Sequence, residues 1–183
     1  MLEIQDYLKI FIGILAILNP LGALPMYLSL TQHHSETDKK YVALTAAKGA
    51  TVILLVTLFF GEMILNFFGI SVNSFRVGGG ILILLMAISM LHAQTSGAKN
   101  TEAERLEATK RESIAIVPLA MPMLAGPGAI SSIILYGNRA EGWQHYLIVS
   151  AEIIVVGIIL AILMRLSGKI AGKLGQTGMN IIT

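Results

Sequence analysis

Two short hydrophobic segments carry the residues best suited to chemistry. They are Asn19-Pro20-Leu21-Gly22-Ala23-Leu24-Pro25 and Pro118-Leu119-Ala120-Met121-Pro122-Met123-Leu124-Ala125-Gly126-Pro127-Gly128, and together they hold all five prolines of the chain. A proline inside a helix removes one backbone donor and blocks the carbonyl four residues back. Pro20, Pro25, Pro122 and Pro127 therefore predict carbonyls without their usual partners at Ala16, Leu21, Pro118 and Met123. The same segments can restart helices. Asn19 suits an N-cap and Pro20 the first helical position, which would leave the amides of Leu21, Gly22 and Ala23 free. Gly126 and Pro127 suit the same two roles, with the amides of Gly128, Ala129 and Ile130 behind them and the hydroxyls of Ser131 and Ser132 in the same turn. A helix start carries roughly half a positive elementary charge and open donors, which favours an anion. Donors for a carboxylate beside acceptors for an ammonium describe a receptor for a zwitterion. The small residues near the breaks (Gly22, Ala23, Ala125, Gly126, Gly128, Ala129) restrict it to a small ligand without a charged side chain. The plainer alternative is a pair of kinked, closely packed helices, since Gly and Pro are common in membrane helices.

The elements that must position these segments are membrane helices. Hydrophobic residues make up 55% of the chain and charged residues 13%, with a mean hydropathy of +0.74, whereas a soluble domain carries about 25% charged residues. Apolar runs of bilayer-spanning length, roughly 20 residues, predict five spans near 8–30, 43–65, 73–93, 113–136 and 144–165. The first is not a cleavable signal, because Glu3 and Asp6 precede Lys9 and the apolar run is too long. The N-terminus and the 66–76 and 137–143 links hold only Lys9, Arg76 and Arg139, while the opposite side holds the other ten Lys and Arg residues. This bias predicts an N-terminus outside the cell inner membrane and the 31–42 and 94–112 connections in the cytoplasm.

The polar stretch His92–Ser113 divides the single transmembrane domain, 1–183, into repeats 1–93 and 113–183 joined by a cytoplasmic linker, 94–112. At a spacing of 107 residues, Pro20 matches Pro127, Gly61 matches Gly168 and Asn73 matches Asn180. Three spans in the first half start the second half on the opposite side, so the repeat is inverted, an arrangement many transporters use. The expected fold is an all-α membrane protein of two inverted three-helix repeats with broken first and fourth helices. By the same comparison, the second repeat reaches Gln176–Thr183 without its third helix, and a sixth helix is read as missing.

Other polar groups are secondary candidates. Glu152 lies about two turns into the fifth span, and intramembrane carboxylates often mark ion or proton pathways; a protonated or hydrogen-bonded glutamate near the outer interface is the alternative. Glu62 and Arg76 sit at outer helix ends, where they would pair or snorkel, and Arg76 could instead approach a substrate carboxylate. Gly78-Gly79-Gly80 suits close helix packing. His33, His34, His92 and His145 lie at span ends, show no metal-ligand spacing and receive no chemistry, while Trp143 and Tyr146 fit an interfacial belt. Without cysteine, thiol catalysis and cysteine-based metal sites are excluded. There is no zinc-protease motif, nucleophile elbow or phosphate-binding loop. An intramembrane enzyme and a non-transporting scaffold remain as rival classes.

The two proline–glycine motifs, the Phe68-Gly69-Ile70-Ser71 to Arg76 passage and the tail Gln176-Thr177-Gly178-Met179-Asn180 resemble the MarC family of bacterial and archaeal integral membrane proteins, over essentially the whole chain. The resemblance implies six spans and a secondary transporter of small neutral amino acids such as glycine and alanine, with efflux of other small molecules as the alternative. From the chemistry of the two breaks, the expected binding residues are Asn19, Pro20, Leu21, Gly22, Ala23, Gly126, Pro127, Gly128, Ala129 and Ser131. Glu152 is the coupling candidate for a proton or sodium ion, and no cofactor or metal is called for.

Overall fold

The computed structural model describes residues 2–91, 115–139 and 142–182. Every regular element in these residues is helical: α1 (Ile4–Leu18), α2 (Pro20–Thr31), α3 (Glu36–Phe67), α4 (Val72–Leu91), a π-helical segment (Ala115–Leu124), α5 (Pro127–Gly137) and α6 (Trp143–Ile182). The expected linker, 94–112, lies outside the described residues.

Helix α3 shows why the boundaries fall where they do. Ser35 caps its start, its Oγ accepting from the Asp38 amide at 3.1 Å, and Glu36 and Asp38 place negative charge in the first turn, where the helix dipole favours it. At the other end the Ile70 N–H donates to the Leu65 carbonyl at 2.9 Å and the Gly69 N–H to Asn66 at 3.0 Å. This Schellman closure needs the left-handed conformation of Gly69, φ 69°. At about 1.5 Å per residue, the 32 residues of α3 exceed the bilayer core and make it the central strut.

The strut packs against α6, the π-helical segment and α5. Its buried stripe is rich in small residues (Ala43, Ala46, Ala47, Ala50, Gly61) and continues through Leu54, Leu58 and Leu65. Small side chains let membrane helices approach closely and gain dispersion contacts that lipid cannot supply better. The large buried side chains Ile10, Ile14, Leu24, Leu119, Ile133, Ile153, Leu160 and Met164 fill the space between the helices. Val52, Val56, Phe59 and Met63 of α3, and Ile154, Ile158 and Ile162 of α6, face outward, where hydrocarbon suits them.

Three stretches are long and apolar enough to cross a membrane: Ile4–Thr31, Glu36–Phe67 and Trp143–Lys169. Val72–Leu85 and Pro127–Gly137 are shorter apolar helices. The expectation of five spans is thus met at full length by three among the described residues. The fourth expected span, 113–136, is divided between the π-helical segment and α5. The fifth runs past its expected end at 165 as one helix to Ile182, with no turn at Gln176 to match Gly69. The residue matching Gly69 is Gln176, which does not favour the left-handed conformation that closes α3.

Candidate functional site

The first interruption is a single residue. Asn19 sits in the left-handed region, φ 44° and ψ 62°, which asparagine tolerates better than other non-glycine residues. Its own N–H still bonds the Leu15 carbonyl at 3.2 Å, while its carbonyl accepts from Ala23 at 3.2 Å. Its side-chain Oδ1 accepts from the Gly22 amide at 3.2 Å. A Cβ on Gly22 would overlap that side chain, with Asn19 Cγ 2.9 Å away, so Gly22 leaves room for the cap. Asn19 and Pro20 therefore take the expected roles, but the amides of Gly22 and Ala23 are not free. The cap itself consumes them.

The second interruption is built differently. Ala115–Leu124 is wound with five-residue hydrogen bonding and closes with the Ala125 N–H on the Ala120 carbonyl at 2.9 Å. A wider turn relieves the clash between a proline ring and the carbonyl four back. The acceptor left without a donor by Pro122 accordingly moves from Pro118 to Val117, five residues back. Gly126 then adopts an extended conformation, φ −78° and ψ 176°, and α5 starts at Pro127 with no side-chain cap. The first hydrogen bond of the new helix runs from Ile130 N–H to the Gly126 carbonyl at 3.0 Å, so the Ile130 amide is also engaged. Gly128 and Ala129 follow the uncapped start; they are buried, as are Gly126, Ser131 and Ser132, whereas Pro127 is exposed.

The two interrupted segments lie together. Helix α1 packs on α5 and α2 on the π-helical segment, so each half of one segment lies beside the opposite half of the other. Pro20 and Ala23 are buried at the first interruption, Asn19 and Gly22 partly so, and Leu21 is 49% exposed. Gly79 of α4 presses on the start of α5: a Cβ there would lie 2.7 Å from Ser131 Cβ and 2.8 Å from its Oγ. Gly78 and Gly80 face open space. Only the middle glycine of the triplet serves close approach.

Glu152 is half-buried beside the stripe of Val149, Ile153 and Val156 on α6, and its Oε2 is buried without a hydrogen-bond partner. Glu62 and Arg76 are exposed, and the ion pairs Lys9–Asp6 and Lys39–Glu36 involve neither of them. No cluster of His, Asp and Glu suited to a metal occurs among the described residues.

Sequence reasoning missed one group. His145, set aside as a span-end histidine, is 1% exposed. Its Nε2 lies 2.8 Å from the Tyr136 carbonyl and its Nδ1 3.2 Å from the Tyr7 hydroxyl. Tyr136 in turn rests its hydroxyl against Gly13 of α1, under the Arg139 guanidinium, 5.2 Å from the ring centroid. The signal available in the sequence was helical spacing, since His145 shares the stripe of Val149, Ile153 and Val156.

Comparison with known proteins places this architecture. The sequence profile described as MarC family integral membrane protein matches residues 4–183. The UPF0056 membrane protein BU267 of Buchnera aphidicola is 40% identical over 99% of this chain and 84% of its own length. The UPF0056 membrane protein YhcE of Escherichia coli is 39% identical over 97% of this chain and 82% of its own length. A relative from Pyrococcus abyssi, also named a UPF0056 membrane protein, is 35% identical over the whole chain and 88% of its own length. No solved structure matches the chain. With a profile match over nearly its full length and relatives spread across bacteria and archaea, the chain belongs to the MarC family of integral membrane proteins.

Proposed function

We propose that this protein is a secondary transporter, not an enzyme, that moves small neutral amino acids such as glycine and alanine across the cell inner membrane. One observation carries the reading: the start of α5 is uncapped and buried among small residues. A helix start in that setting presents fixed N–H donors and the positive end of the dipole without competing water. The Gly128 and Ala129 amides and the Ser131 hydroxyl form the carboxylate pole. The first interruption supplies acceptors for the ammonium through the carbonyls of Ala16 and Leu21, which Pro20 and Pro25 cannot serve. Asn19, Pro20, Leu21, Gly22 and Ala23 shape that pole, with Gly126 and Pro127 shaping the other.

The antiparallel lie of the two interrupted segments supports the reading of inverted repeats with broken first and fourth helices. The distribution of basic residues supports an N-terminus on the outer side. Glu152 is the proposed proton or sodium coupling group, because a buried carboxylate oxygen without a protein partner is satisfied by a bound proton or cation.

The test is counterflow of labelled glycine and alanine in proteoliposomes holding the full-length protein. Saturable exchange is expected, lost when a bulky or charged amino acid replaces the substrate. Failure of glycine and alanine to exchange overturns the proposal. Replacing Glu152 with Gln should leave exchange intact and abolish accumulation driven by an ion gradient.

A further inference from the structure

His145 joins three elements that are far apart in sequence. A carbonyl can only accept, so the Nε2 facing Tyr136 carries the ring proton. In the neutral ring Nδ1 is then an acceptor, and the Tyr7 hydroxyl donates to it. One ring thereby ties α1, the last turn of α5 and the first turn of α6. The Tyr136 carbonyl that it holds also accepts from the Arg139 N–H at 3.2 Å, so His145 completes the C-terminal cap of α5. A second tie lies deeper, where the Tyr136 hydroxyl meets Gly13. Both ties cross between α1 and α5. Helices α1, α3 and α4 all pack on α5, and the two ties fasten its α1 side.

We propose that His145 is a positioning residue whose hydrogen bonds to Tyr7 and Tyr136 hold the N-terminal end of the bundle closed over the start of α5. Breaking those two bonds is the step that opens the site to that side. The proposal rests on the transport reading for what passes through the opening, but the closure is measurable without a substrate. The buried bonds make the tie directional: losing them leaves the Tyr136 carbonyl and the Tyr7 hydroxyl free to take water, which favours the open arrangement.

The absence of cysteine makes a direct test possible. A single Ser132→Cys, at a position 7% exposed on α5 between the tie and the helix start, reports access to a membrane-impermeant maleimide applied from either face. His145→Phe keeps an aromatic ring without the two bonds and should raise labelling from the N-terminal face about tenfold, as expected for the loss of roughly 1.4 kcal/mol of closure, with no change from the other face. Tyr7→Phe removes one bond and should give a smaller rise. His145→Gln, whose amide can both donate and accept, should restore slow labelling. In counterflow His145→Phe should lower the maximal exchange rate without raising the external half-saturation concentration. Equal labelling of the Ser132→Cys protein with and without His145→Phe, at the same monodisperse profile, overturns the closure, as does an equal rise from both faces. Should His145→Phe not fold, Tyr7→Phe decides by the same criterion: a rise confined to the N-terminal face supports the closure, and unchanged labelling overturns it. Absence of counterflow in the parent protein refutes the transport reading instead, and the labelling ratio judges the tie on its own.

Discussion

The two interruptions place proline at the same position, first in a restarted helix, yet they finish that helix in opposite ways. At the first, the Asn19 side chain and carbonyl take the Gly22 and Ala23 amides, two of the three donors expected there. At the second, Gly126 contributes no side chain and the start of α5 is left to whatever enters. Under the proposed transport reading, the difference distinguishes the two poles. A break that consumes most of its own donors offers chiefly acceptors, whereas one without a side-chain cap keeps more donors to offer. Two equivalent anion sites would have suited a doubly charged ligand; one donor pole and one acceptor pole suit a zwitterion.

The largest expected effect comes from making the second break resemble the first. The extended backbone at Gly126 accepts any residue. Gly126→Asn would bring in a side chain that caps the amides of α5, and losing charge-assisted bonds of about 1.5–3 kcal/mol each should cut exchange by roughly 100-fold. The helix itself should gain about 1 kcal/mol from the cap. Gly126→Ala adds volume without an acceptor and should lose far less, so equal losses in the two variants would remove the donor pole from the account.

Next in size is the support of that pole by α4. Gly79→Val would drive a side chain into Ser131 and should destabilise the detergent-solubilised protein by about 1–3 kcal/mol in thermal unfolding. Gly78→Ala and Gly80→Ala meet nothing within 4 Å and should be neutral or slightly stabilising. Similar losses at all three positions would argue for helix flexibility in place of contact.

The first break should respond through its cap and backbone conformation. Asn19→Ala loses the bond to Gly22 and places a β-carbon at φ 44°; the same unfolding measurement should show a loss of about 2 kcal/mol. The smallest effect belongs to Asn19→Gly, which adopts that conformation freely and should lose only a few tenths of a kcal/mol. A large loss for Asn19→Gly would mean that the side chain does more than cap.

The sequence by itself determined what depends on near neighbours along the chain. Apolar runs set the membrane character, and proline stereochemistry put Pro20 and Pro127 at helix starts with Asn19 and Gly126 before them, because capping is decided within four residues. The lie of the interrupted segments, α1 beside α5 and α2 beside the π-helical segment, came only from tertiary packing. So did the choice of Gly79 among three adjacent glycines, which depends on where Ser131 lies. Consumption of the Gly22 amide was legible in principle, since asparagine caps commonly take the amide three residues on. The π-winding was less so, because four-residue and five-residue bonding differ little locally and packing against α3 contributes to the choice. For His145 the sequence offered only its helical spacing with Val149, Ile153 and Val156; its partner Tyr7 is 138 residues away, and only packing supplies it. Local stereochemistry chose where the helices break. Only the opposing helices decided which groups at those breaks are left to act.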